Sequence, residues 1–388
     1  MNETPATLAQ RLRKHLKNDL LDFWLKNGID SQYGGYLTSL DYFGRVYNYD
    51  KYSVTQTRMV YAFAEGYRFF GDERYRQAAR QGFEFYTTHF WDDVYQGWYH
   101  GMNRTGAYLW EPFKRTYDFA FVIYCFAEYF GATQDTRALD AIQKTLDLLD
   151  QKIADPVHRG WFESFERDWS AKKQAGKTFN VCMHLLEAML AGFEKIDQQQ
   201  FLPRLEMVLD LILSRCVIKP ENLPVEFFAE DWRPTLQKGQ PVINYGHVME
   251  TAFFFLRLAE LFRRDDLMRH ALRFIEFSMK FGFNPQVGMA CFGSPRGDHD
   301  LYYYYWNQSE TIAALARAFR MTNDERFWNW LVKMVELIFR HFADSENGEW
   351  IARVDPDGQP GDIIKGAIHK ACYHLTQAIT SVIREIEQ

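Results

Sequence analysis

A short glycine-bearing motif returns about every 62 residues along this chain, and that period restricts the fold to a ring or a stack of like units. The motif is a glycine closely followed by an aromatic residue or Met. It occurs as Tyr33-Gly34-Gly35-Tyr36, Gln96-Gly97-Trp98, Arg159-Gly160-Trp161, Val287-Gly288-Met289 and Asn347-Gly348-Glu349-Trp350. Val225-Glu226-Phe227-Phe228 fills the fourth place without a glycine. The steps from Tyr36 to Trp98, Trp161, Phe227, Met289 and Trp350 are 62, 63, 66, 62 and 61 residues. Six units therefore fill almost all of the 388 residues. The motif reads as a β-hairpin, and each hairpin is followed by two segments of helical period. The first kind is apolar nearly all round, as in Ala120–Ala127 and Ala252–Leu256, so it is buried on every side. Six of these are expected, at 57–70, 117–130, 180–196, 245–262, 306–319 and 370–386. The second kind, at 73–89 or 265–280, carries charge at regular intervals and reads as an outer helix. The expectation is an all-α fold with one domain over 1–388. It is a toroid of six inner and six outer helices, an (α/α)6 barrel, with short β-hairpins in the long loops at one mouth. A plain solenoid is the alternative, but inner helices this apolar do not suit an open concave surface.

Polar groups interrupt the apolar helices near their starts, and they keep the same period. Arg58, Asp118, His184, His247, Gln308 and His374 follow one another at 60, 66, 63, 61 and 66 residues. Gln56, Tyr117, Asn180, Glu187, Glu250, Trp306, Glu310 and His369 lie close by. Buried polar groups are costly unless paired or functional, so six converging sets predict a pocket for a small polar molecule. Scattered helix caps and satisfied core polars are the bland reading. His184 and Glu187, and His247 and Glu250, are spaced i, i+3 and should neighbour each other on their helices. A carboxylate there would fix the imidazole tautomer and raise its pKa. Metal binding is a rival reading, although the Glu-x-x-His order of di-iron bundles is reversed here.

Composition narrows the chemistry further. A net charge of −6 with no basic stripe gives no case for nucleic acid. The five cysteines are widely spaced and form no CxxC pair. No apolar run suits a signal peptide or a membrane span, so a cytoplasmic enzyme is expected. Arg11, Arg13, Lys14 and Lys17 read as the polar side of a first helix. Aromatics make up 17% of the chain, which suits stacking on the C–H face of a sugar as well as core packing. No GxGxxG fingerprint, P-loop or Gly-x-Ser-x-Gly elbow is present, so no cofactor is indicated. Acid–base catalysis by histidine remains. Moving a proton α to a sugar carbonyl needs a base with a pKa near 7, and C2 epimerisation needs groups on both faces. His247 and His374 are the candidates, with Arg58 for the enediolate oxygen and His184 for ring opening or a hydroxyl. An inverting glycoside hydrolase using carboxylates among Glu187, Glu250, Glu310 and Asp118 is a competing class. A binding protein with a degenerate pocket is another.

At these residues the sequence resembles the N-acylglucosamine 2-epimerase family, also called the renin-binding-protein family, which includes cellobiose 2-epimerases and mannose isomerases. The resemblance covers essentially the whole chain. It rests on "TQTRMVYAFA" around Arg58, "NVCMHLLEA" at 180–188, "YGHVMETAF" at 245–253, "YWNQSETIAA" at 305–314 and "KACYHLTQAI" at 370–379. It implies an (α/α)6 barrel without metal, His247 and His374 as the acid/base pair, and Arg58, Asn180 and His184 binding the sugar and enediolate. It also implies that Glu250 supports His247 and that Trp306 stacks on the ring, and a homodimer as one assembly state. Tyr117, Asp118, Glu187, Gln308 and His369 complete the expected sugar-binding set. Cellobiose epimerases carry Trp where His369 stands, which favours a monosaccharide here.

Overall fold

A computed structural model describes residues 3–107, 113–172, 176–220, 222–294 and 302–388. Among these, six inner helices run Ser53–Phe70, Thr116–Thr133, Phe179–Lys195, Tyr245–Phe262, Tyr305–Thr322 and Tyr373–Ile386. Each of the first five packs on the outer helix that follows it: Glu73–His89, Arg137–Leu148, Gln198–Leu211, Asp265–Phe281 and Glu325–His341. The sixth outer helix comes first in the chain, at Pro5–His15, and packs on the last inner helix. The last inner helix also packs against the first, so the ring closes. This is the expected toroid. An Arg13–Glu387 ion pair ties the two ends of the chain together at 2.8 Å.

Burial follows the sequence pattern. Every residue from Thr116 to Tyr129 of the second inner helix is buried. The outer Glu325–His341 buries one stripe, including Phe327, Leu331, Met334, Val335 and Ile338. The inner helices are buried all round because neighbours on both sides and the outer layer enclose them.

The mouth is built more elaborately than a set of isolated hairpins. The strand just before each inner helix pairs antiparallel with a strand from the next unit. Lys51–Tyr52 pairs with Gly101–Met102, Phe113–Arg115 with Ser164–Glu166, and Lys177–Thr178 with Phe227–Phe228. Ile243–Asn244 pairs with Phe292–Gly293 and Tyr303–Tyr304 with Arg353–Val354, while a Leu40–Gly366 bridge closes the circle. This circle corrects the fourth hairpin. Its local pairing is Val217–Ile218 with Leu223–Pro224, so Pro224, not Phe227, matches Trp161 and Met289. The steps on either side become 63 and 65 residues, and Glu226 moves to the position held by His100 and Glu163 in the two units before it.

Four of the loops are fastened by a buried ion pair that sequence reasoning did not anticipate. Lys51–Asp30, Lys114–Asp92, Lys177–Asp155 and Lys365–Asp344 meet at 2.5 to 3.0 Å. In each, the other carboxylate oxygen accepts backbone N–H groups two and three residues on, which shapes the hairpin turn. Burial alone would raise the Asp30 carboxyl, but hydrogen bonds from Arg104 and Lys51 hold it down at about 2. Removing one partner strands the other as a buried charge, at a cost of about 3–5 kcal/mol. Asp92→Ala is therefore expected to lose stability of that order in urea unfolding, and a loss under about 1 kcal/mol would contradict the clip.

Candidate active site

The inner helices deliver their first turns to a cavity of about 450 Å³ at the mouth. Arg58, Tyr117, Asn180, His184, His247, Trp306, His369 and His374 all line it, so the shared cavity expected from the register is present. Trp306 sits beside both imidazoles, its ring 5.1 Å from that of His247 and 5.6 Å from that of His374. The His184 and His247 rings are 6.4 Å apart.

Each of these imidazoles is held from behind by a carboxylate on Nδ1. His184 meets Glu187 at 3.0 Å, His247 meets Glu226 at 2.8 Å, and His374 meets Glu310 at 2.7 Å. A fourth dyad, His100 with Asp118 at 2.7 Å, lies in the second unit. An Nδ1–H donated to a carboxylate leaves Nε2 with its lone pair free. The i, i+3 expectation holds for His184–Glu187 and fails for His247–Glu250. His247 is the third residue of its helix and reaches the mouth circle, where Glu226 waits. Glu250 is one turn deeper, fully buried, and makes no hydrogen bond among the described residues. Burial pushes its carboxyl well up, helped by the neighbouring Glu310 and Glu187.

The expected rise in histidine pKa is also reversed. Burial outweighs the carboxylates: His184 falls to about 4 and His374 falls well below its ordinary value. Both are neutral near pH 7. Arg58 is buried and has no carboxylate partner among the described residues. It donates to the Tyr117 hydroxyl at 2.6 Å and to the His369 carbonyl at 3.1 Å.

Several expected sugar-binding residues do other work. Gln308 gives its side-chain oxygen to Met289 N–H at 2.7 Å and its nitrogen to the carbonyls of Met289 and Tyr304, both at 2.8 Å. It buttresses the fifth hairpin, as Gln56 does the first through Tyr36. A Cβ at Gly288 would lie 2.2 Å from the Gln308 oxygen, which accounts for the glycine there. Asp118, Glu187 and Glu250 lie behind the cavity wall and do not line it. Glu187 instead takes hydrogen bonds from Tyr373 and Gln377, both at 2.7 Å. Asn180 keeps an unpartnered side-chain oxygen, and half-buried Trp306 lines the cavity.

His184, Glu187 and Glu250, and likewise Glu250, Glu310 and His374, bring possible ligand atoms within 4.8 Å. In both groups the imidazole Nδ1 already lies at hydrogen-bond distance from a carboxylate, 3.0 Å in His184–Glu187 and 2.7 Å in His374–Glu310, so both read as hydrogen-bonded dyads rather than ligand sets. The residues that sequence reasoning missed are Glu226, as partner of His247, and the pairing of Glu310 with His374. Placing the fourth hairpin at Pro224 would have put Glu226 in register with His100 and Glu163.

Buried imidazole–carboxylate dyads around an unpaired guanidinium, in a toroid mouth, define a carbohydrate epimerase or isomerase. The chain belongs to the N-acylglucosamine 2-epimerase (GlcNAc 2-epimerase) family, whose match runs over residues 35–378. It is 25% identical over 388 aligned positions to a cellobiose 2-epimerase of Bacteroides fragilis, covering 95% of this chain and 96% of that one. A D-mannose isomerase of Marinomonas mediterranea is 23% identical, covering 97% of each chain. The solved cellobiose 2-epimerase of Bacillus thermoamylovorans superposes with a TM-score of 0.91 at 24% identity, covering 98% of this chain and 99% of that one. No helix among the described residues is long and apolar enough to cross a membrane.

Glu226 does not line the cavity, so any effect it has on turnover would pass through His247. Glu226→Gln is expected to lower kcat by about 10- to 100-fold with little change in KM, and Glu226→Asp to recover part of it. An unchanged kcat in Glu226→Gln would show that His247 needs no anchor.

Proposed function

We propose that this chain, acting as one domain over 1–388, interconverts the C2 epimers of a hexose-type monosaccharide without a cofactor. The observation that carries the reading is the pair His247 and His374. Both lie beside Trp306, both are anchored at Nδ1, and both line one cavity with Arg58. In this reading the open-chain sugar lies over the Trp306 face. His374, neutral near pH 7, takes the C2 proton on Nε2; the C–H electron pair becomes the C1–C2 double bond and the carbonyl π pair moves onto the C1 oxygen. Arg58, with no carboxylate to neutralise it, stabilises the enediolate that forms. His247, entering as imidazolium, returns a proton to the other face of C2, and the carbonyl re-forms. Asn180 accepts a sugar hydroxyl. His184 stays neutral near pH 7, which suits hydrogen bonding to the ring oxygen during opening better than delivering a proton. Glu250, which does not line the cavity, is left out of this chemistry. A hydrolase needs carboxylates flanking the scissile bond, about 6.5–9.5 Å apart. Asp118, Glu187, Glu250 and Glu310 all lie behind the wall, which disfavours that class.

Incubation with mannose, glucose, N-acetylmannosamine and cellobiose in heavy water, read by NMR, tests the proposal. Solvent deuterium is expected at C2 of an epimeric product. Deuterium at C1 of a ketose product would instead give aldose–ketose isomerisation on the same enediolate. His247→Ala and His374→Ala are each expected to lower kcat by at least about 10³-fold while the protein stays folded, from loss of a general base or acid. Full turnover by either variant would refute the two-histidine mechanism.

A further inference from the structure

Arg115 is a cation that the fold does not use. It stands at the N-cap of the second inner helix, where Thr178 and Asn244 at the matching places cap their own helices with side-chain oxygens. Arg115 makes no such cap. A positive charge there opposes the helix macrodipole, which favours anions at an N-terminus. Among the described residues it has no ion pair and no hydrogen-bond partner for its side chain, yet it lines the cavity. Its guanidinium lies over the Tyr117 ring, 5.5 Å from the centroid, and Arg58 lies 5.7 Å from the same centroid. Two unpaired guanidinium groups thus share one aromatic ring. The nearby Glu163 forms an ion pair with neither of them among the described residues. Burial raises its carboxyl to about 7, and the same oxygen accepts the Thr178 N–H and hydroxyl at 2.6 and 2.9 Å. Lys370, a third cation on the wall, is already paired with Glu349 at 2.9 Å. Asp362 is the one carboxylate lining the cavity among the described residues, and it accepts the backbone N–H of Ile364 at 3.2 Å.

Enediolate chemistry accounts for one of these guanidinium groups and leaves the other over. A single oxyanion develops at C1–C2, and Arg58, the deeper of the two, answers it. We propose that the sugar carries a permanent anionic group away from C2, a phosphate or a carboxylate, which Arg115 receives at the cavity rim. The proposal rests on the epimerase reading above. The guanidinium fork suits either group through paired N–H donors.

The test compares kcat/KM for mannose, mannose 6-phosphate and mannuronate with the wild-type protein and with Arg115→Gln, in heavy water by NMR. The wild type should favour one of the anionic sugars by at least about tenfold, and added salt should shrink that preference. Whichever sugar wins identifies the group. Arg115→Gln should lose about tenfold or more on the anionic sugar, mainly in KM, and less on mannose. Turnover of mannose equal to both anionic sugars, or an equal loss on all three in the variant, overturns the proposal and leaves the epimerase reading standing. No turnover of any of the three overturns the proposal, and no turnover of glucose, N-acetylmannosamine or cellobiose either overturns the epimerase reading with it.

Discussion

Everything at the mouth of this barrel depends on hydrogen bonds from imidazole Nδ1 to carboxylates that water does not reach. Three such bonds hold His184, His247 and His374 with Nε2 free, and each anchor comes from a different piece of the fold. His184 is held within its own helix. His247 is held by the mouth circle, and His374 by the neighbouring inner helix. A buried imidazole without a partner would turn or find another bond; with one, its tautomer and direction are set. Desolvation then decides the charge. The cavity wall excludes water, so the neutral forms of His184 and His374 win even with a carboxylate at contact distance.

The scaffold makes this geometry affordable. Inner helices buried on all sides supply rigid starts, and the strand circle fixes each loop to the next unit. The four buried Lys–Asp clips fasten the hairpins from beneath. Polar side chains at matching positions divide into two sets. Gln56, Gln308, Glu187 and Asp118 stabilise the surroundings, while Arg58, Asn180, His247, Trp306 and His374 face the cavity. A common period brings residues to one mouth. It does not say which of them look inward, because that depends on the residue's depth in its helix.

That distinction marks how much was legible in advance. The six-unit toroid and the shared cavity followed from the hairpin spacing and from helices apolar all round. His184–Glu187 followed from i, i+3 spacing, because both residues lie inside their helix. His247–Glu250 had the same spacing and failed, since His247 occupies the first turn, where a loop carboxylate competes. The fourth hairpin lacks a glycine, and reading it three residues late hid Glu226. The Lys–Asp clips recur 21 or 22 residues apart and were open to the same search for repeats that found the hairpins. Gln308 was misjudged because a polar residue in register is as useful for bonding a hairpin backbone as for bonding a ligand.

The central claim is that His247 and His374 approach one carbon from opposite sides. A crystal structure with a bound sugar alcohol, which mimics the open chain but cannot react, tests it most directly. C2 should lie between the two Nε2 atoms, each about 3–3.5 Å away on opposite faces, with Arg58 at O1 or O2. Both imidazoles on one face of C2, or a sugar bound away from Trp306, would contradict the account.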